Sequence, residues 1–178
     1  MTENQLKALL RKTLLDGLLA QGINDVPVIN GYQPTGQGRE PKGLYFFPLA
    51  EPGYGWQYRK DRYDPASGEQ IHSETQLVRS TFQIAGFAEA NLQDASVLTA
   101  QDITGLAAML LVSASAITAL RRGGAGVERV TAIRTLFIEN DQGRNEATPS
   151  FDITLTHKRT LTQRAPSIEA FEHAFTRV

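Results

Sequence analysis

From Glu69 to Ala88 the sequence runs through 20 residues with neither a helix start nor a helix stop, and its residues alternate. Val78, Ser80, Phe82 and Ile84 share one side at a spacing of two, while Arg79, Thr81 and Gln83 share the other. Strands are usually about 5–6 residues long, so this stretch far exceeds the norm. Just ahead of it, Asp64, Pro65, Ser67 and Gly68 form a strong turn signal. Trp56 to Tyr63 before that turn has strand character. Together these predict a long β-hairpin whose tip, around residues 58 to 74, projects beyond the sheet.

The flanking elements follow from periodicity. Thr2 and Gln5 form a capping box, and leucines from Leu6 to Leu19 at three- and four-residue steps predict a helix. Gly22 supplies its left-handed C-cap. Val26 to Ile29 reads as a short edge strand, because Pro27 has no amide to donate. Asn30 to Gly43, rich in Gly and Pro, is a long loop, and Leu44 to Leu49 is a buried strand. Thr99, with Asp102 at the third position, starts a second helix that reads as continuous to Gly123-Gly124 and apolar on both faces. Val127 to Glu139 and Ser150 to Arg159 predict two further strands around the turn residues Asn140 to Gly143. Pro166 then separates a tail in which Ser167 caps a short helix bearing Ile168, Phe171 and Phe175. The expected class is α+β: a mostly antiparallel sheet flanked by two main helices, with the projecting hairpin and a C-terminal arm. Residues 1–165 are expected to form one domain and 166–178 the arm.

Composition narrows the chemistry. The chain of 178 residues contains no cysteine, which removes disulfides, thiolate metal sites and cysteine nucleophiles. A net charge of -1 argues against a domain devoted to neutralising phosphates. Residues 103–120 carry no charge, but Thr104, Gly105, Ser113, Ser115 and Thr118 favour a buried helix over a membrane span. The charged start, MTENQLKALLRKTLLDG, reads as no signal peptide. His72, His157 and His173 are not spaced as metal ligands. His72 with Glu74 copies the H-x-E of zinc deaminases, whose cysteines are missing here. His157 follows the inward rhythm of Phe151, Ile153 and Leu155, so it reads as closing a core face rather than as a base. Gly123 to Gly126 closes a helix and opens a strand, the reverse of a dinucleotide loop. No catalytic residue, metal or cofactor is expected.

The most unusual local feature is Tyr54, Trp56 and Tyr58, a spacing that puts all three on one strand face, followed by Arg59, Lys60, Arg62 and Tyr63. Such a stripe suits a protein interface, where Trp, Tyr and Arg predominate. It suits the protein's own core equally, and interleaved basic residues leave a nucleic-acid surface as a third reading. Asp61, Asp64, Glu69 and Glu74 neutralise much of the nearby positive charge. Arg121, Arg122, Arg129, Lys158 and Arg159 give the carboxyl half a basic accent. It reads first as solvated surface and helix-end charge, with contact to DNA as the alternative.

VPVINGYQPTGQGREPKGLYFFPL places a Gln and spaced prolines ahead of a strand, and TQLVRSTFQIAGFAEANLQDAS ends a strand in Phe-x-x-x-Gly-Phe before an acidic, alanine-rich lead into a helix. The Gly-rich helix end then opens a strand with VERVTAIR. From about Leu6 to His157 this arrangement resembles the neck or tail-terminator (gateway) proteins of long-tailed bacteriophages. The resemblance implies a virion structural subunit, made in the host cytoplasm, that assembles as a homo-oligomeric ring, usually a hexamer. The ring would sit at the end of the tail tube, stop tube polymerisation and meet the head-to-tail connector, with DNA passing through its lumen. Tail tube and connector proteins would be the partners, with no membrane involved. On this view the hairpin residues Tyr54, Trp56, Tyr58, Arg59, Arg62 and Tyr63 and the arm residues Ile168, Phe171 and Phe175 are the candidate interface. The five basic residues of the carboxyl half are the candidates to face the lumen. Another neck component (a connector or tail-completion protein), an enzyme with scattered residues and a nucleic-acid module are the competing classes.

Overall fold

A computed structural model describes residues 1–31, 42–88, 93–94, 96–139 and 145–166. In chain order the elements are α1 (Glu3–Ala20), β1 (Val28–Asn30), β2 (Lys42–Ala50), β3 (Gly53–Asp64), β4 (Glu69–Ala88), α2 (Ala100–Leu111), α3 (Ala114–Arg122), β5 (Ala125–Val130), β6 (Arg134–Glu139) and β7 (Asn145–Pro166). The fold is α+β, with seven strands in one sheet ordered β1-β2-β4-β7-β5. β3 joins the free side of β4, and β6 joins the free side of β7. All pairings are antiparallel except β1 with β2.

The axis of the sheet is the β4/β7 ladder. It runs from Glu69↔Pro166 to Ala85↔Ser150 with no change of register. Because paired residues share a face, Val78, Ser80, Phe82 and Ile84 lie with His157, Leu155, Ile153 and Phe151 on one side, and all eight are buried. The helices cover that side. α2 packs on β4 and β7, α3 on β5, and α1 on α2, α3 and β1. α1 contributes Leu6, Leu10, Leu14 and Leu18, each 1% exposed or less. Fully burying one such leucine is worth about 1.5–3 kcal/mol. The capping box at Thr2 and Gln5 forms as the sequence requires, and Gly22 at φ +77° completes a Schellman end with Ile23 N–H donating to Leu18 C=O.

Five expectations need correction. The helix expected to run from Thr99 to Gly123 is two helices, bent by 61°. Val112 ends α2, and the Ser113 hydroxyl then accepts from Ala116 N–H, capping α3. A hydroxyl that can cap a new helix competes with continuation of the old one. Nor is the second face covered: Met109 and Val112 are 70% and 53% exposed. Among the described residues no single helix is long and apolar enough to cross a membrane. The strand expected from Val127 to Glu139 divides into β5 and β6. Thr131 turns away from the ladder, its N–H donating to Asp152 C=O while its hydroxyl accepts from Asp152 N–H. The first strand begins at Val28 rather than Val26. Finally, the strand expected over Ser150–Arg159 is more than twice as long. β7 continues through Pro166, which pairs with Glu69, so Pro166 belongs to the sheet.

That last difference changes the hairpin. β3 and β4 do pair across the Asp64–Glu69 turn, closed by Gly68 at φ +67° and its N–H donating to Asp64 C=O. But β7 runs along the other side of β4 over the same rows. The result is a three-stranded ribbon. Its rows lie beyond the Val78–His157 level, about 30 Å of strand at about 3.3 Å per residue. Among residues 53–76 and 158–166 only Ile71 is buried.

Candidate assembly interface

β3 is an edge strand exposed over almost its entire length. Its register with β4 shifts between Tyr54, opposite Leu77, and Tyr58, opposite Thr75. Four residues of β3 therefore span two of β4, a bulge made possible by Gly55 at φ +71°. The bulge interrupts the expected alternation. Tyr54 and Tyr58 still share the face away from the helices, but Trp56 sits in the bulge and is 98% exposed. Tyr63, paired with Gln70, lies on the opposite face. The own-core reading of the stripe is thereby corrected, since Tyr58 and Tyr63 are also more than half exposed. Tyr54 has the Arg79 guanidinium 3.8 Å from its ring centre. Arg79 is held in turn by Glu128 at 2.8 Å.

The ribbon's charges are largely paired. On the helix-side face His72 Nδ1 lies 2.5 Å from Asp61 and Nε2 lies 3.3 Å from Glu74, which also takes Arg59 at 3.1 Å. The Asp61 carboxylate, seconded by Glu74, raises the His72 pKa above its ordinary value. At the tip Arg164 pairs with Glu69 at 3.2 Å. Arg62 shares its row with Ile71 and Arg164 on the other face, where Lys60 also stands.

The basic residues of the carboxyl half do not converge. Arg121 and Arg122 lie exposed at the end of α3, where the helix dipole favours them. Arg129 stands opposite Thr154 on the face away from the helices, as does Lys158. Arg159 is on the other face of β7, bound to Glu51 at 2.7 Å. Arg121 and Lys158 line a common depression, of about 530 Å³, with Leu77, Gly124–Gly126 and His157. Ile168, Phe171 and Phe175 fall outside the described residues.

Sequence reasoning missed Glu51, a turn residue with no motif around it. Its carboxylate takes Ser80 Oγ at 3.2 Å, His157 Nε2 at 3.3 Å and Arg159. Ser80 Oγ is also 3.0 Å from His157 Nε2. Ser, His and Glu are the residue types of a hydrolase triad, but the geometry is not one. A triad needs the acid on Nδ1, so that Nε2 is free to take the serine proton. Here serine and acid both meet Nε2, and Nδ1 has no partner among the described residues. The cluster closes one end of the core beneath the β2–β3 turn. Among the described residues no group of His, Asp and Glu is arranged to hold a metal ion.

The sheet thus outruns its helix layer and carries aromatic residues standing in solvent along an edge strand, with no catalytic arrangement among the described residues. The family can be stated as well. The model of the E217 gateway protein gp29 family matches residues 5–167, and the chain belongs to that family. No curated protein matches. Among solved structures, the sheath/tube terminator of an extracellular contractile injection system (PVC, extended state) is similar at a TM-score of 0.49 and 10% identity. That alignment covers 100% of this chain and 64% of the other.

Proposed function

We propose that the protein forms a ring at the head-proximal end of a phage tail, ends tube polymerisation there and joins the tail to the head connector, leaving DNA a path through its centre. The observation that carries this reading is the gateway family match over residues 5–167. Its surface agrees: Trp56 and Tyr58 are the kind of residues that anchor protein interfaces, and they contribute little to the subunit's own packing. The ring is proposed as hexameric, with tail tube and connector proteins on its two sides. Its place is the virion neck, after assembly in the host cytoplasm.

The test is a capping experiment. Purified protein is added to polymerising tail tube protein, and tube lengths and ends are scored by electron microscopy, alongside native mass of the protein alone. Shortened tubes bearing a terminal ring are expected, with a cyclic oligomer in the mass spectrum. Unchanged tubes together with binding to purified connector would move the protein to another station in the neck. A monomer that binds neither partner would sink the proposal.

A further inference from the structure

The two outer strands of the ribbon end in open edges. Among the described residues no strand pairs with the outer side of β3, Gly53–Asp64, or with the outer side of β7 beyond His157, where the Met1 amino group caps the Lys158 carbonyl. Open edges of that length invite pairing with another chain. Proline, the residue that blocks such pairing outright, is absent from β3 and from residues 158–165 of β7. The β7 edge is also uncharged from Thr160 to Gln163. A sheet needs a hydrophobic face or a packed layer for independent stability, and this ribbon buries only Ile71. Its direction matters too. β3 and β7 are both antiparallel to β4, so they run parallel to each other. A second copy placed beside the first by rotation about a ring axis brings its β3 alongside β7 in the same direction. The sheet can then continue from copy to copy, and the contact is heterologous, as ring closure requires.

We infer that the edge of β7 beyond His157 pairs in parallel with the β3 edge of a neighbouring copy, joining the ribbons into one continuous sheet. This rests on the ring reading above and specifies its contact. Trp56 in its bulge then overhangs the joint.

The cysteine-free chain permits a direct test. Tyr58, Lys60 and Arg62 of β3 share a face with Thr160, Thr162 and Arg164 of β7. Within one chain, Lys60 and Thr162 stand in the same row two strand spacings apart, about 10 Å. A disulfide needs Cα atoms about 4.4–6.8 Å apart, so an intramolecular bridge is excluded. Each of the three β3 positions is changed to Cys in combination with each β7 position, for example Lys60→Cys with Thr162→Cys. The proteins are oxidised mildly, after their melting temperatures have shown them folded. For at least one pairing, most of the chain should leave the monomer band for a ladder of covalent oligomers that neither single variant gives. Dimers from single variants would mean like edges meeting, and would overturn the inference. Oligomers by native mass with no ladder at any of the nine pairings would overturn it while leaving the ring intact. A monomer at every concentration that also fails to cap tail tubes would remove the ring reading itself.

Discussion

Two side chains in this protein separate folding from assembly. His157 is 1% exposed and anchors Ser80 and Glu51 through one ring nitrogen. His157→Gln moves that polar group and leaves the buried Ser80 hydroxyl without its histidine partner, while Glu51, partly exposed, keeps Arg159. A loss of about 1–3 kcal/mol is expected, read as a lower denaturant midpoint. Trp56 is the opposite case. At 98% exposed it contributes almost nothing to its own subunit, so Trp56→Ala should change stability by no more than about 0.5 kcal/mol. If Trp56 anchors the joint between copies, the same change should weaken assembly by about 2 kcal/mol, measured by the concentration dependence of native mass. A drop in melting temperature with unchanged assembly would return the tryptophan to its own chain.

At the scale of elements, the contact between α2 and β4 is the tightest to test. A Cβ added at Gly86 would sit 2.0 Å from Thr104 Oγ1 and 2.8 Å from the Ala100 carbonyl. The carbonyl cannot move without shifting the start of α2, and the hydroxyl can turn aside only by giving up its bond to that carbonyl, so Gly86→Ala should cost about 1–3 kcal/mol in chemical denaturation. The ribbon carries a pH-dependent term. Asp61 and Glu74 raise the His72 pKa in the folded chain above its ordinary 6.5. Protonated His72 therefore favours the folded ribbon. The contribution is complete well below pH 6.5 and is lost as pH rises through the raised pKa. His72→Gln should flatten that part of the stability profile, and an NMR titration of the ring should give a midpoint above 6.5.

Several of these elements were legible in the sequence because local chemistry writes them: the box at Thr2, the cap at Thr99, the glycine cap at Gly22, the alternation of β4. Ser113 and Thr131 were not. Each interrupts an apolar pattern that continues across it, and each does so through a backbone hydrogen bond that periodicity does not reveal. Thr160 to Ala165 escaped as well, since a strand without a buried face has no alternation to display. The aromatic stripe was visible as residues, but the Gly55 bulge that sets Trp56 apart was not.

Across the whole molecule, the helix layer stops at the Val78–His157 row while the sheet goes on, and the chain continues past Pro166 from the ribbon's last row. Ile168, Phe171 and Phe175 thus follow a point about 30 Å of strand from the core. Deleting residues 167–178 should leave the melting temperature nearly unchanged and impair joining to ring or neck partners. Unfolding of the isolated subunit would instead assign those residues to its own core.

The unbroken β4/β7 register bears on a different property, the response to load. Its 17 rungs reach from the core to the tip without a bulge. A pull along the strands meets all of those rungs together, in shear, and cannot open them one after another from an end. Along the strand direction the ladder therefore has no bulge at which tip and core could part. Tension applied along the ribbon would arrive at the helix layer instead of being absorbed at a break in the ladder.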